Sequence, residues 1–287
     1  MITTSAQQTL GTPATSLPTT EKLMLCSFPK SGTYLFWRIL RALQKQAGSY
    51  RSFARAAGLT DLLDEMIEPE NRPYAHYSEM DQLYPSGDDW LFYVHHPMQN
   101  LSVDLDMLLQ TSSLIWLHEA PTKIQKLSEG RKQLYMMRDG RSVVNSLIHH
   151  FTRPSVRATH PTYKIDDPLV LYQRKDNFRK YVQIWRDHVQ DFLSNSDDYF
   201  LLRFEDLTSQ MPAQVERLLQ FLEIDGDAAA IAEEFSFDRM KSASPTHVRS
   251  GTNDDWRRYY EEEHIAIFKE EAGQLLIDLG YAQDLDW

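Results

Sequence analysis

A lysine and two hydroxyl side chains are grouped in the stretch Phe-Pro-Lys-Ser-Gly-Thr-Tyr, which covers residues 28–34. The apolar run at 23–26 predicts a short buried strand before it, and apolar residues at helical spacing predict a helix over 34–43 after it. The first turn of a helix leaves backbone N–H groups unpaired at the positive end of its dipole. The stretch therefore predicts an anion-binding loop whose contacts are made by Lys30, Ser31, Gly32, Thr33 and Tyr34.

The loop differs from the common nucleotide-binding loop in the place of its lysine. That loop has the lysine directly after its second glycine, whereas Lys30 lies two residues before Gly32, the only glycine here. Ordinary ATPase or kinase chemistry is therefore disfavoured. A small-molecule kinase that uses ATP stays as an alternative.

A second group of polar residues follows the apolar run 133–137, which predicts another strand. Arg138 opens a charged turn, and a helix is predicted from Ser142 to His150, capped by Asp139 or Ser142. An arginine binds phosphate in a bidentate fork. Strand, polar turn and helix thus occur twice, both times with a cation at the turn. By charge, the residues that could hold a multiply charged anion are Lys30, Arg138, Arg141, Arg249, Arg257 and Arg258.

Four motifs, in order along residues 23–281, resemble those of the PAPS-dependent sulfotransferases of the cytosolic and bacterial small-molecule type. Residues 28–33 resemble the loop that binds the 5′-phosphosulfate, and 138–146 resemble the signature for the 3′-phosphate. Residues 235–240 are similar to a motif that lines the nucleotide, and 249–260 are similar to a segment that closes over the 3′-phosphate.

The resemblance implies that PAPS is the sulfuryl donor, that PAP is the product and that no metal is needed. Beyond the loop residues already named, it implies these cofactor-binding residues: Arg138, Ser146, Phe204, Ser236, Phe237, Met240, Arg249, Ser250 and Gly251.

The chain also departs from the family pattern at several positions. Leu35 stands where many members have the tryptophan that stacks on adenine, so Phe237, Phe204 or Trp37 must stack instead. Ser250 replaces a lysine, Gly140 a proline and Asp254 a glycine. We expect the cofactor to be retained but held less tightly.

The resemblance also implies the catalytic residues. Lys30 would stabilise charge on the bridging oxygen during a loose, in-line transfer. His118, after the apolar run 114–117, matches the histidine that takes the acceptor's proton, and an imidazole suits that role near neutral pH. Glu119 is the reserve candidate, and the acceptor atom can be oxygen or nitrogen. A PAP-binding module without turnover is a further alternative.

Alternating strands and helices predict an α/β fold, P-loop-like and three-layered, with a central parallel sheet flanked by helices. We expect one domain over 21–287 and a disordered tail over 1–20, which is rich in Thr, Ser, Gln and Pro. Residues 49–109 are expected to be irregular apart from a strand at 90–96, and 153–175 are expected to form a mobile loop. The sequence alone does not define an oligomeric state.

Net charge, the length of the apolar runs and the cysteine count limit the binding partners and cellular compartments that fit this chain. The net charge of −11 disfavours nucleic acid, no apolar run is long enough to cross a membrane, and a single cysteine, Cys26, excludes an intramolecular disulfide. We therefore predict a cytoplasmic enzyme acting on a soluble small molecule. Residues 56–115 contain eleven carboxylates and only one basic residue, an arginine. This excess of negative charge favours a cationic or neutral acceptor.

Overall fold

The structure is a computed structural model that describes residues 22–65, 79–93, 101–159, 163–243 and 254–287. The predicted tail at 1–20 lies outside these residues.

One six-stranded sheet forms the centre of the described part of the chain. Its strands are β1 (Leu23–Ser27), β2 (Asp81–Ser86), β3 (Asp89–Phe92), β4 (Leu114–Leu117), β5 (Lys132–Met137) and β6 (Tyr199–Arg203). Their spatial order is β3-β2-β4-β1-β5-β6. All neighbours pair in parallel except β2 and β3, which form an antiparallel hairpin at one edge.

Helices connect and cover the strands. In chain order they are α1 (Thr33–Gln46), α2 (Phe53–Ala56), α3 (Thr60–Glu65), α4 (Leu105–Thr111), α5 (Pro121–Ile124), α6 (Gly140–Phe151), α7 (Pro154–Thr159), α8 (Pro168–Gln173), α9 (Lys175–Ser194), α10 (Phe204–Ser209), α11 (Met211–Leu222), α12 (Ala228–Glu234), α13 (Phe237–Ala243) and α14 (Glu262–Asp278), with a 3₁₀ helix at Asp255–Arg258 before α14.

The central strands β1 and β4 are buried along their whole length, which explains why they are apolar at nearly every position instead of alternating. Met24 and Cys26 of β1 belong to the core beneath α6, α9 and α14, whereas Leu23 and Leu25 belong to the core beneath α1, α11 and α12. Two cores on either side of one sheet make three layers. The predicted three-layer α/β fold is confirmed.

Two predictions about loops are wrong in the described residues. The segment predicted to be irregular holds α2, α3, α4 and the strand β2. The strand expected at 90–96 begins as β3, and its residues 94–96 lie outside the described residues. Pro85 does not break β2 because β4 pairs with β2 only through Asp81 and Gln82. At Pro85 the only described strand partner is Trp90 of β3, so no hydrogen bond on the β4 side needs an N–H there. The loop expected at 153–175 contains the short helices α7 and α8.

Candidate active site

The candidate residues follow the carboxyl ends of four adjacent strands. In the spatial order β4-β1-β5-β6, these ends lead to His118, to the loop that holds Lys30, to Arg138 and to Phe204. Open α/β sheets bind ligands at this edge. The fold therefore brings together four segments that are far apart in sequence.

The loop between β1 and α1 has the backbone of an anion-binding turn. Lys30 and Gly32 have φ angles of 70° and 95°, and a left-handed conformation at a non-glycine residue such as Lys30 is strained and typical of functional sites. The hydrogen-bond ladder of α1 begins with Leu35 and Phe36, whose N–H groups donate to the Gly32 carbonyl. The amides of the preceding residues lie at the positive end of the helix.

Gly32 is required for a second reason. A Cβ atom at this position would lie 2.3 Å from Cδ2 of Phe204, so only glycine lets that ring lie against the loop. The neighbouring hydroxyls are enclosed: Ser31 is buried, and Thr33 Oγ1 lies 2.6 Å from Ser27 Oγ. The Thr33 hydroxyl therefore has a partner within the protein.

Arg138 joins the two turns that the sequence predicts to bind phosphate. Its Nη1 donates to the carbonyl of Lys30 at 3.3 Å, and its guanidinium lies 4.2 Å from the centre of the Phe204 ring. Ser146 lies two turns along α6 and is half-buried. Loop, arginine and aromatic ring thus form one continuous surface.

Arg141, which charge alone made a second candidate for holding the anion, has a structural role. Its guanidinium donates to both oxygens of Asp139 and to the carbonyl of Tyr281, and it lies 4.8 Å from the Trp256 ring and 4.5 Å from the Trp287 ring. Asp139 also caps α6, as predicted, by accepting from the Arg141 N–H. This buried pair fixes the turn that carries Arg138.

His118 has a defined tautomer. Its Nδ1 lies 2.9 Å from the Ser27 carbonyl, which can only accept, so Nδ1 donates and Nε2 of the neutral ring is an acceptor. Burial lowers the pKa of His118 to about 4, which the hydrogen bond to Ser27 only partly opposes. At neutral pH the imidazole is therefore uncharged and able to take a proton.

Glu119 is oriented differently from its neighbour. Its carboxylate forms an ion pair with Lys123 at 2.9 Å, one turn further along. Its backbone carbonyl accepts from the buried Cys26 thiol at 3.0 Å, and burial raises the pKa of that thiol.

Sequence reasoning missed His150, whose Nδ1 lies 3.5 Å from Lys30 Nζ. The signal was present in the spacing, because His150 follows Ser146 by four residues and so lies on the same face of α6.

Aromatic rings continue outward from His150. Phe151 lies 4.9 Å from Tyr163 and 5.6 Å from Tyr181, ring centre to ring centre. The phenol of Tyr84, on the β2–β3 hairpin, adds to the burial that raises the pKa of Tyr163, and the Tyr84 and Tyr93 rings are 6.2 Å apart. We call these five residues the aromatic wall.

The other predicted nucleotide-binding residues are only partly described. Ser236 is half-buried before α13, and Phe237 and Met240 lie on that helix, although their side-chain positions are not described. Arg249, Ser250 and Gly251 lie outside the described residues. Trp37, one of the stacking candidates, is fully buried in the core and does not face a ligand. Within the described ranges, no group of three or more His, Cys, Asp or Glu side chains is arranged to hold a metal ion.

Comparison with known proteins agrees with this geometry. Residues 20–280 match the model of the sulfotransferase domain family. The chain therefore belongs to that family, and the predicted enzyme class, a PAPS-dependent sulfotransferase, is confirmed. No curated protein sequence matches the chain significantly.

Many solved structures resemble the chain, and two of them illustrate the shared fold. The mouse sulfotransferase SULT7A1, solved as a complex with PAP, has a TM-score of 0.57 at 17% identity, and the match covers 91% of this chain and 87% of that one. A retinol dehydratase in complex with androsterone and the inactive cofactor PAP has a TM-score of 0.58 at 14% identity, covering 90% and 81%. In the part of the chain that the model describes, no helix is long and apolar enough to span a bilayer.

Proposed function

We propose that the chain transfers a sulfuryl group from PAPS to a hydroxyl or amine of a small molecule and releases PAP. The observation that carries this proposal is that the side chains of Arg138 and His118 both reach the loop that holds Lys30. Arg138 donates to the carbonyl of Lys30, His118 donates to the carbonyl of Ser27, and both bonds are made to the β1–α1 turn.

The roles of the phosphate-binding residues follow from their positions. The loop amides and the N-terminus of α1 would hold the 5′-phosphate, and Arg138 with Ser146 would hold the 3′-phosphate, joined by Arg249, Ser250 and Gly251. The adenine base of the cofactor would lie near Phe204 and the segment Ser236–Met240. Two features of the loop support this fit: its left-handed backbone at Lys30 and Gly32, and the close approach of Phe204 to Gly32, which leaves no space for a Cβ atom.

The chemical step is assigned to two side chains. Lys30 would stabilise the negative charge that develops on the bridging oxygen as the sulfuryl group leaves. Nε2 of His118 would accept the proton of the attacking hydroxyl or amine. Glu119 remains the reserve base, but its ion pair with Lys123 favours His118.

The aromatic wall suggests the kind of acceptor. It leads outward from Lys30 through His150, and rings of this kind bind planar or apolar groups by their faces. A cationic acceptor is also compatible with it, because a ring face attracts positive charge. We therefore propose a small acceptor with a planar group, neutral or cationic.

The carboxylates of residues 56–115 support a neutral or cationic acceptor less strongly than their number suggested. Asp81 accepts hydrogen bonds from the N–H groups of Phe53 and Ala54 at the start of α2. Glu79 forms ion pairs with basic side chains of α1, and Asp104 caps α4. These three carboxylates have structural partners.

The remaining predictions are kept as proposals. We propose that residues 21–287 act as one domain behind a disordered tail at 1–20, and that the enzyme works in the cytoplasm. Secondary metabolism, in which small molecules are modified one at a time, is the proposed setting.

Thermal shift tests the cofactor directly. A ligand that binds only the native state at about 100 times its dissociation constant stabilises that state by about 2.7 kcal/mol, a shift of roughly 5 °C or more for a chain of this size. We expect PAP to give such a shift, and Arg138→Ala to weaken it. Arg217→Ala, on α11, should respond like the wild type.

The alternatives give different results. A shift with ATP and Mg²⁺ but none with PAP would favour a small-molecule kinase. Radiolabelled PAPS with a panel of phenols and aryl amines then tests turnover. With any acceptor the panel reveals, His118→Asn should abolish transfer while PAP still binds, and Glu119→Gln should not. Turnover that survives His118→Asn contradicts the assignment of the base.

A further inference from the structure

A guanidinium group bridges two segments that the proposed function assigns to the nucleotide. Arg38 lies one turn after Tyr34 on α1, and its Cζ is 5.9 Å from the centre of the Tyr34 ring. The same Cζ is 5.2 Å from the centre of the Phe235 ring, directly before Ser236. Arg38 thus joins the phosphate loop to the start of α13, which are about 200 residues apart in sequence.

The surroundings fix the orientation of this group. Phe235 is buried in the core, and the Tyr34 ring is stacked on the buried Trp37 ring at 6.0 Å with an interplanar angle of 10°. Both rings are therefore held by packing. Arg38 itself is half-buried, so part of the side chain remains accessible between them.

Two of the other stacking candidates are less well placed: Trp37 is enclosed, and Phe204 has the Arg138 guanidinium at its face and the Gly32 backbone beside it. The side chain of Phe237, the third candidate, is not among the described ones, and Leu35 offers no ring. A planar guanidinium can stack on a nucleobase as an aromatic ring does, with an added cation–π attraction. Leu35 lies three residues before Arg38, on the same face of α1, and its side chain is shorter than that of Arg38.

We infer that Arg38 stacks on the adenine of PAP and PAPS and so contributes affinity for the base and not for the phosphates. This inference rests on the proposed function, since it requires the nucleotide to lie between the phosphate loop and α13. It assigns to Arg38 a binding role that its charge alone would not suggest.

Binding measurements on two probes test the inference. Calorimetry with PAP and with ribose 3,5-bisphosphate, which lacks the base, separates base contacts from phosphate contacts. Base stacking is worth roughly 1–3 kcal/mol, so Arg38→Ala should weaken PAP binding by about fivefold to 150-fold and leave the affinity for the base-free probe unchanged. Arg38→Lys, which keeps the charge but loses the plane, should behave like Arg38→Ala.

Arg41→Ala is the matched control, because Arg41 lies on the same helix but pairs with Glu79. It should bind both probes like the wild type, and melting curves without ligand check that each variant is folded. Full binding by Arg38→Lys, or an equal loss for both probes, would make Arg38 a phosphate contact and overturn the inference. An unchanged PAP affinity in Arg38→Ala would also overturn it. If the wild type binds neither probe, the proposed cofactor itself is wrong.

Discussion

Gly140 lies where the signature that residues 138–146 resemble has proline, and the structure leaves no room for a side chain at this position. A Cβ atom at residue 140 would lie 2.6 Å from three carbon atoms of the Trp185 ring, whereas carbon atoms in contact are normally 3.5–4.0 Å apart. Trp185 is fully buried and packs against Phe268, so the ring cannot retreat by an ångström without disturbing the core. The indole fills the space that a side chain at residue 140 would need.

Gly140→Ala should therefore destabilise the protein. Overpacking of this kind costs about 1–3 kcal/mol, and because Gly140 is the first residue of α6, the gain in helix propensity that alanine brings in a helix interior does not apply. The loss should be about 1–3 kcal/mol, measured by urea unfolding followed by circular dichroism. Gly140→Pro, which restores the family's residue, adds the same Cβ and should be no better tolerated.

A double-mutant cycle makes the reasoning refutable. Trp185→Phe leaves room for the added methyl group, so Gly140→Ala should cost much less in that background, with a coupling energy of about 1 kcal/mol or more. Because Arg138 lies two residues before Gly140, PAP affinity should fall in the single variant and recover in the double one. A Gly140→Ala variant as stable as the wild type would show that the clash is not real.

Three further predictions concern the buried charges and histidines. Arg141→Met should cost about 3–5 kcal/mol, because it leaves Asp139 buried without its cation; urea unfolding measures this. Burial lowers the pKa of His188 to about 4, so the unfolded chain binds a proton there below pH 6.5 that the native state does not. His188 alone should thus lower the stability by about 3 kcal/mol between pH 6.5 and 4, and the fall should be less steep in His188→Gln. For the same reason, the pH profile of kcat/KM should show no loss of activity near pH 6.5 from His118, whose pKa is also about 4; an acid limb at 6.5 that disappears in His118→Asn would contradict this.

Much of the fold could be predicted because four of the six described strands have a recognisable sequence pattern. β1, β4, β5 and β6 are short apolar runs that end in polar residues, and the parallel arrangement then brings those ends to one edge. The hairpin β2–β3 could not be found this way. Asp81 is a charged residue in a buried position, and its hydrogen bonds to the start of α2 become visible only in three dimensions.

The candidate site was predictable where a residue type alone defines the chemistry. Lys30, Arg138 and His118 fall at strand ends, and their positions follow from local pattern. Arg141 shows the limit, because its charge suggested an anion ligand while its partners are Asp139 and two tryptophan rings. Whether an arginine binds a ligand or a neighbour depends on contacts between distant segments, which sequence spacing does not contain.

The same contrast explains how an acidic chain can bind a polyanion. With a net charge of −11, the chain as a whole repels PAPS, so the attraction must be local. The two turns that carry Lys30 and Arg138 meet through a hydrogen bond to the loop backbone, and the Asp139–Arg141 pair neutralises itself beside them. The positive charge left at the strand ends is thus provided by few residues with defined positions. For this reason single substitutions at Arg138 should alter cofactor binding far more than changes in the overall charge.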